Sequence, residues 1–252
     1  MKLEICCYSI DDIIVAAQSG ADRIEFCAGR SDGGLTPSYG DLLQLSQLNL
    51  PIPIHPIIRP RGGDFYYSQS EINTMINDIK LVHDLNFAGV VFGALTLSAT
   101  LDIENLTRLI EAAKGLSLTF HRAFDVCKNP LITLEQLHDL GFHRLLTSGQ
   151  KNTALEGINL IEQLHNSSKN LIIMPGCGIK SANLQQFINI GISEFHSSAT
   201  KTILSPMQHQ NSDVSMSHTQ NNESLRYTID INEVQKMKYL IENTKSTYSI
   251  NS

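Results

Sequence analysis

Eight short apolar runs, each followed by a longer amphipathic stretch, constrain the fold of this sequence more than any other feature. Hydrophobic period separates the two kinds of segment. The pattern predicts strands at Leu3–Cys7, Arg23–Cys27, Ile54–Ile58, Gly89–Phe92, Leu116–Phe120, Arg144–Thr147, Leu171–Met174 and Glu194–His196. It predicts helices over Ser9–Ser19, Ser38–Leu48, Ser68–Leu85, Asp102–Ala113, Thr133–Asp139, Ala154–Asn166, Ser181–Asn189 and Asn232–Asn243. Several of these open on Ser, Thr or Asp, as helix N-termini prefer. Gly20, Gly115, Gly141 and Gly191 stand just ahead of the next strand, in the left-handed cap position. Strict alternation implies an α/β fold with a parallel sheet and helices on its outer face. Its 252 residues match the roughly 250 that one closed barrel takes. A glycine-rich dinucleotide loop is absent from the first strand-helix turn, which reads Cys6-Cys7-Tyr8-Ser9. The expectation is a single TIM-type (β/α)₈ barrel domain spanning 1–252.

One segment breaks the alternation. Residues 205–224, SPMQHQNSDVSMSHTQNNES, are polar and aperiodic, and read as a mobile insertion before the last helix. Met207, His209, Met216 and His218 within it are soft-metal donors, but their spacing matches no recognised site. The balance of 19 basic against 25 acidic side chains, a net charge of -6, argues against a nucleic-acid partner. No apolar run approaches the roughly 18 residues of a membrane span, and the first residues lack a signal-peptide core. A cytoplasmic protein is expected. Its five cysteines, Cys6, Cys7, Cys27, Cys127 and Cys177, then read as thiols, and they lack a zinc-type spacing.

In such barrels the site lies at the C-terminal ends of the strands. Strand alternation directs Glu4 and Cys6 inward on the first strand, Arg23, Glu25 and Cys27 on the second, and His55 and Arg59 on the third. Thr119 and His121 follow on the fifth, and Glu194 and His196 on the eighth. So many ionisable groups must pair with one another or bind something. A structural network of Glu–Arg and Glu–His pairs is one reading. The other is an anion site, because Arg30, Arg59, Arg61 and Arg122 converge on one mouth beside Asp125, and guanidinium binds carboxylate or phosphate bidentately. Loops carrying Ser148-Gly149, Gly176, Gly178 and Ser197 add possible phosphate contacts through backbone N–H groups. Glu25, His121, Asp125 and His196 are then the acid–base candidates. Cys6 and Cys27 close adjacent strands, where two thiolates suit a soft ion such as Cu(I). Simple core packing is the alternative for both.

Long ordered motifs carry a resemblance. Glu4-Ile5-Cys6 leads to Ala21-Asp22-Arg23-Ile24-Glu25-Phe26-Cys27 and then to Gly33-Gly34-Leu35-Thr36-Pro37-Ser38. Arg59-Pro60-Arg61-Gly62-Gly63-Asp64-Phe65 and Val91-Phe92-Gly93-Ala94-Leu95 come next. Thr119-Phe120-His121-Arg122-Ala123-Phe124-Asp125 and Leu146-Thr147-Ser148-Gly149 complete the set. Over about residues 2 to 200 the chain resembles the CutC copper homeostasis family. The resemblance implies a cytoplasmic (β/α)₈ barrel, often a homodimer, linked to copper tolerance, with Cu(I) held at Cys6 and Cys27. Cys177, where a small residue is usual, and the polar segment after Thr200 depart from the pattern. Two functions follow: a copper-binding homeostasis protein, or a lyase- or isomerase-type enzyme acting on a small phosphorylated or carboxylated metabolite. Lys is absent from the inward strand positions, which disfavours a Schiff-base aldolase.

Overall fold

A computed structural model describes residues 1–209 and 224–248. Most of the expected insertion, including Met216 and His218, lies outside the described residues.

Eight parallel strands alternate with helices along the chain: β1 (Lys2–Cys7), β2 (Arg23–Phe26), β3 (Ile54–Pro56), β4 (Gly89–Phe92), β5 (Ser117–Phe120), β6 (Arg144–Thr147), β7 (Ile172–Pro175) and β8 (Glu194–Ser197). They form two four-stranded sheets, ordered β3-β2-β1-β8 and β4-β5-β6-β7. A parallel bridge between Ile57 and Val91 joins β3 to β4, while β7 lies beside β8. The α/β architecture is the expected one.

The strands are buried on both faces, so each reads as a short apolar run. Outward residues such as Ile5, Phe26, Phe92, Phe120, Leu145 and Phe195 pack on the apolar faces of the surrounding helices. A second, much smaller apolar cluster, formed by Cys6, Cys27, Ile57 and Val91, lies inside. The remaining inward positions are mostly polar, with Leu146 and Met174 among them. Register puts them in layers: Glu4 pairs with Arg23 on one side and His196 on the other, and Glu25 pairs with Cys6 and His55.

The helices are α1 (Ile10–Gln18), α2 (Tyr39–Gln47), α3 (Gln69–Asp84), α4 (Ile103–Ala112), α5 (Pro130–Asp139), α6 (Ile158–Ser167), α7 (Leu184–Asn189) and α8 (Ile231–Tyr248). Ser9, Ser38, Ser68 and Asp102 cap the first four through their side chains, and Ser68 with Glu71 forms a capping box. Sequence pattern misplaces three starts. Helix α5 begins three residues early, because Pro130 suits the first turn after Asn129 at positive φ. Helices α6 and α7 begin later than expected. The segment before α6 is held as a turn by the close approach of Gly157 and Gly149: a Cβ on Gly157 would meet the Ser148 carbonyl at 2.0 Å.

Two strands have no counterpart in the expected pattern. β9 (Thr200–Leu204) and β10 (Leu225–Ile229) form an antiparallel ribbon whose arms bracket the polar segment. Their side chains are mostly exposed, so no apolar alternation marks them. Asp12 on α1 anchors the returning arm, its Oδ1 accepting from Thr228 Oγ1 (2.9 Å) and the Ile229 N–H (3.2 Å). Among the described residues no helix is long and apolar enough to cross a membrane.

Removing that anchor leaves a buried N–H unsatisfied. Asp12→Ala is expected to cost about 1–3 kcal/mol in urea unfolding, whereas Asp11→Ala, on the exposed side of the same turn, should stay within roughly 0.5 kcal/mol.

Candidate functional site

Inside the ring, a charged network supports the site from below. Arg23 Nε donates to Glu4 Oε2, and its second guanidinium nitrogen donates to Glu194 Oε2 at 2.7 Å. The other Glu4 oxygen lies 2.7 Å from His196 Nδ1. Glu4 is buried, yet Arg23 and then His196 outweigh burial and hold its carboxyl well below the usual range. Burial pulls His196 toward neutrality, but Glu25, Cys6 and Glu4 together push its pKa well above the usual imidazole value. Two carboxylates, one guanidinium and one imidazolium therefore balance without solvent.

With Nδ1 committed to Glu4, His196 turns Nε2 toward Glu25 Oε2, 3.6 Å away. Cys6 Sγ, a Glu25 oxygen and a His196 nitrogen all lie within 4.8 Å of one another. Cys27 Sγ stands 3.7 Å from Cys6 Sγ and 3.4 Å from Glu25 Oε2. A hydrogen bond with Cys27, working against burial and aided by His196, lowers the Cys6 pKa well below that of an ordinary thiol. Burial, and then Cys6, raise Cys27 and Glu25 in the opposite direction. The thiolate form is thus favoured more at Cys6 than at Cys27.

A cavity of about 390 Å³ opens above this cluster and separates it from a second wall carrying Arg59, Phe65, His121 and Arg122. His121 accepts the Ala123 N–H at Nδ1 (3.2 Å), which places its proton on Nε2. That Nε2 is buried without a hydrogen-bond partner. The ring packs on Phe65, with centroids 4.9 Å apart, and Arg59 covers the same Phe65. Burial, Arg59 and Arg122 depress the His121 pKa to about 3. Below, burial likewise depresses His55 to about 3.

Of the candidate acid–base residues, Glu25, His121, Asp125 and His196 all line the cavity. Asp125, however, is fully engaged: Arg122 Nε (2.7 Å), Thr147 Oγ1 (2.5 Å), Ser148 N and Oγ, and Gln150 N all donate to it. It organises the loop after β6. The expected clamp of four arginines is reduced to Arg59 and Arg122. Arg30 stacks between Tyr8 and Tyr227, and Arg61 is bound to Glu71 (2.6 Å) and Asp64 (2.9 Å), so neither lines the cavity. Gly178 does line it, but Ser148, Gly149, Gly176 and Ser197 do not. Ser197 Oγ donates to the Ile179 carbonyl and accepts from Ala199 N–H, and Gly176 gives room for Leu146 and His196. Of the thiol pair, Cys6 faces the cavity while Cys27 sits behind it; Cys177 also lines the cavity. Tyr8 and Phe65 were not singled out by sequence, because an isolated aromatic reads as core.

Comparison with known proteins places these motifs in a family. The sequence profile of the CutC family matches residues 1–201. The family protein CutC of Enterobacter sp. (strain 638) is 49% identical over 241 residues, covering 95% of this chain and 97% of the relative. A solved structure of CutC from Streptococcus agalactiae, named for copper homeostasis, superposes with a TM-score of 0.75 at 32% identity, covering 79% of this chain and 99% of that one. 3-hexulose-6-phosphate synthase from Salmonella typhimurium, at 13% identity and a TM-score of 0.60 over 96% of this chain and 99% of its own, shares the fold alone.

The three inward histidines differ in charge, which imidazole NMR can read. His55 and His121 should remain neutral from pH 6.5 down to about 3, and His196 should stay protonated above 6.5. Because the two depressed groups fold neutral, their contribution to stability is complete above 6.5 and is lost as pH falls toward 3. A His121 titration near 6.5 would show that water fills its wall.

Proposed function

This chain belongs to the CutC family, and from that premise we propose that it serves copper homeostasis by holding Cu(I) as cargo at Cys6 and Cys27. The observation that carries the reading is the pair of sulfurs 3.7 Å apart, one of them already inclined to the thiolate. Cu(I) is soft and prefers thiolate donors. Binding would release the Cys27 proton. Glu25 and His196 stand within reach as further donors. Cys177, at the rim of the cavity, offers a third thiol on the path inward. The reading includes a cytoplasmic location, where thiols stay reduced, and a homodimer.

One observation favours a second reading, an enzyme of lyase or isomerase type working on a small phosphorylated or carboxylated metabolite. A cavity of about 390 Å³ is far larger than one ion requires, and its walls carry an oriented histidine on each side. Glu4 fixes His196 as a second group orients a catalytic acid, with Glu25 at its other nitrogen and Cys6 close by.

Competition titration of Cu(I) against a chromophoric chelator tests the first reading. One equivalent should bind, and Cys6→Ser or Cys27→Ser should weaken binding by more than about 100-fold, beyond the usual cost of losing an outer-shell partner. Cys127→Ser should match the parent. Unchanged affinity in both mouth variants would remove the basis of the copper reading.

A further inference from the structure

The second wall of the cavity has a ligand chemistry of its own, distinct from the thiols. His121 is 3% exposed, and its Nδ1–Cε1 edge is pressed against Gly93 and the Ala123 N–H. What it leaves unsatisfied is Nε2–H, a neutral donor in a fixed direction. An unmet buried donor of this kind is costly unless something accepts from it.

Arg59 packs on the same Phe65 ring as His121 and is 5% exposed. Its terminal nitrogens donate to the carbonyls of Asp32, Gly34 and Gly63, and its Nε has no partner. Among the described residues it takes part in no ion pair, so its charge is held by dipoles alone. Arg122 differs, because Asp125 neutralises it.

We propose that the wall formed by Arg59, Phe65 and His121 is a binding subsite for a small organic carboxylate, with His121 Nε2–H as the directional donor and Arg59 as the counter-charge. This rests on the second reading above and narrows its substrate class. Phosphate fits less well for two reasons. The hydroxyls of Ser148 and Ser197 are already engaged, with Asp125 and Lys151 and with Ile179 respectively. A dianion would also face the carboxylates of Asp32 and Asp125 in the cavity lining with a single unbalanced cation. A monoanion needs only that cation. The remainder of a carboxylate ligand would extend toward Cys6, Glu25 and His196 on the opposite wall. Neutral His121 suits the task, since burial and the two arginines keep it from becoming a second cation.

Calorimetric titration of the full chain, with a Cu(I) chelator present, tests the inference with four probes: lactate, pyruvate, pyruvamide and inorganic phosphate. Lactate and pyruvate, both monoanions, should bind at least about tenfold more tightly than the uncharged pyruvamide, as a charged hydrogen bond implies. His121→Phe, which keeps a ring on Phe65 but removes the donor, should lose at least about tenfold in pyruvate affinity, and His121→Gln should recover much of it. Should His121→Phe fail to fold, the wild-type Nε2–H resonance decides, since it must shift on pyruvate addition. Carboxylates binding no better than pyruvamide, or an unmoved Nε2–H, overturns the inference. Phosphate binding without carboxylate binding overturns it and leaves the second reading standing. Binding of no anion at all removes both.

Discussion

The interior depends on one carboxylate. Glu4 touches Arg23 with one oxygen and His196 with the other, so it ties together strands that come from opposite ends of the chain. Charges buried this deeply are expensive unless every one is matched. Here Glu194 completes Arg23, and the register of β1 with β2 and β8 brings Glu4, Arg23 and His196 to one depth, with Glu194 a layer below. Arg144 sits nearby as a further cation, bonded to the hydroxyls of Thr119 and Ser117, and its charge helps keep His55 neutral. The network of Glu4, Arg23, Glu194 and His196 is thus charge-matched, and it fixes the orientation of the one histidine that reaches the cavity from below.

Above that floor the cavity separates two chemistries. One wall is soft and anionic in tendency, with Cys6 as the sulfur that inclines to the thiolate. Across from it is a hard wall, with a fixed N–H and an unpaired guanidinium. A metal carrier needs only the first, and an enzyme for small acids uses both. The two walls come from different parts of the ring: β1, β2 and β8 supply the thiol side, while the ends of β3 and β5 supply Arg59 and His121. Occupancy of either wall leaves the other's donors in place.

Much of this was legible in the sequence. All eight parallel strands lie within a residue or two of where period alone puts them, because a strand buried on both faces has little choice of composition. The inward assignment of Glu4, Arg23, Glu25, Glu194 and His196 follows from alternation and holds in the structure. The fate of the arginines was less readable. Arg61 has Asp64 and Glu71 close in sequence, and these local acids capture it before it can reach the mouth. Asp125 resembles a base by type, yet the loop of Thr147, Ser148 and Gln150 folds around it, and no spacing rule reveals such a closure. The ribbon of β9 and β10 escaped notice because its exposed strands lack an apolar face.

That ribbon has a consequence for how the chain can vary. Its open end is clasped by a hydrogen bond from Ser205 N to the Ser224 carbonyl, 2.7 Å long, and its base is fastened to α1. Whatever length of chain runs between those two serines, the barrel experiences the same pair of fixed ends. Doubling a loop whose ends are already held costs only about 0.6 kcal/mol in closure entropy. The Streptococcus agalactiae relative is matched almost end to end by four fifths of this chain. The ribbon is therefore a natural graft point, where an epitope, a reporter or a whole foreign domain can be spliced in without the eight strands registering the change.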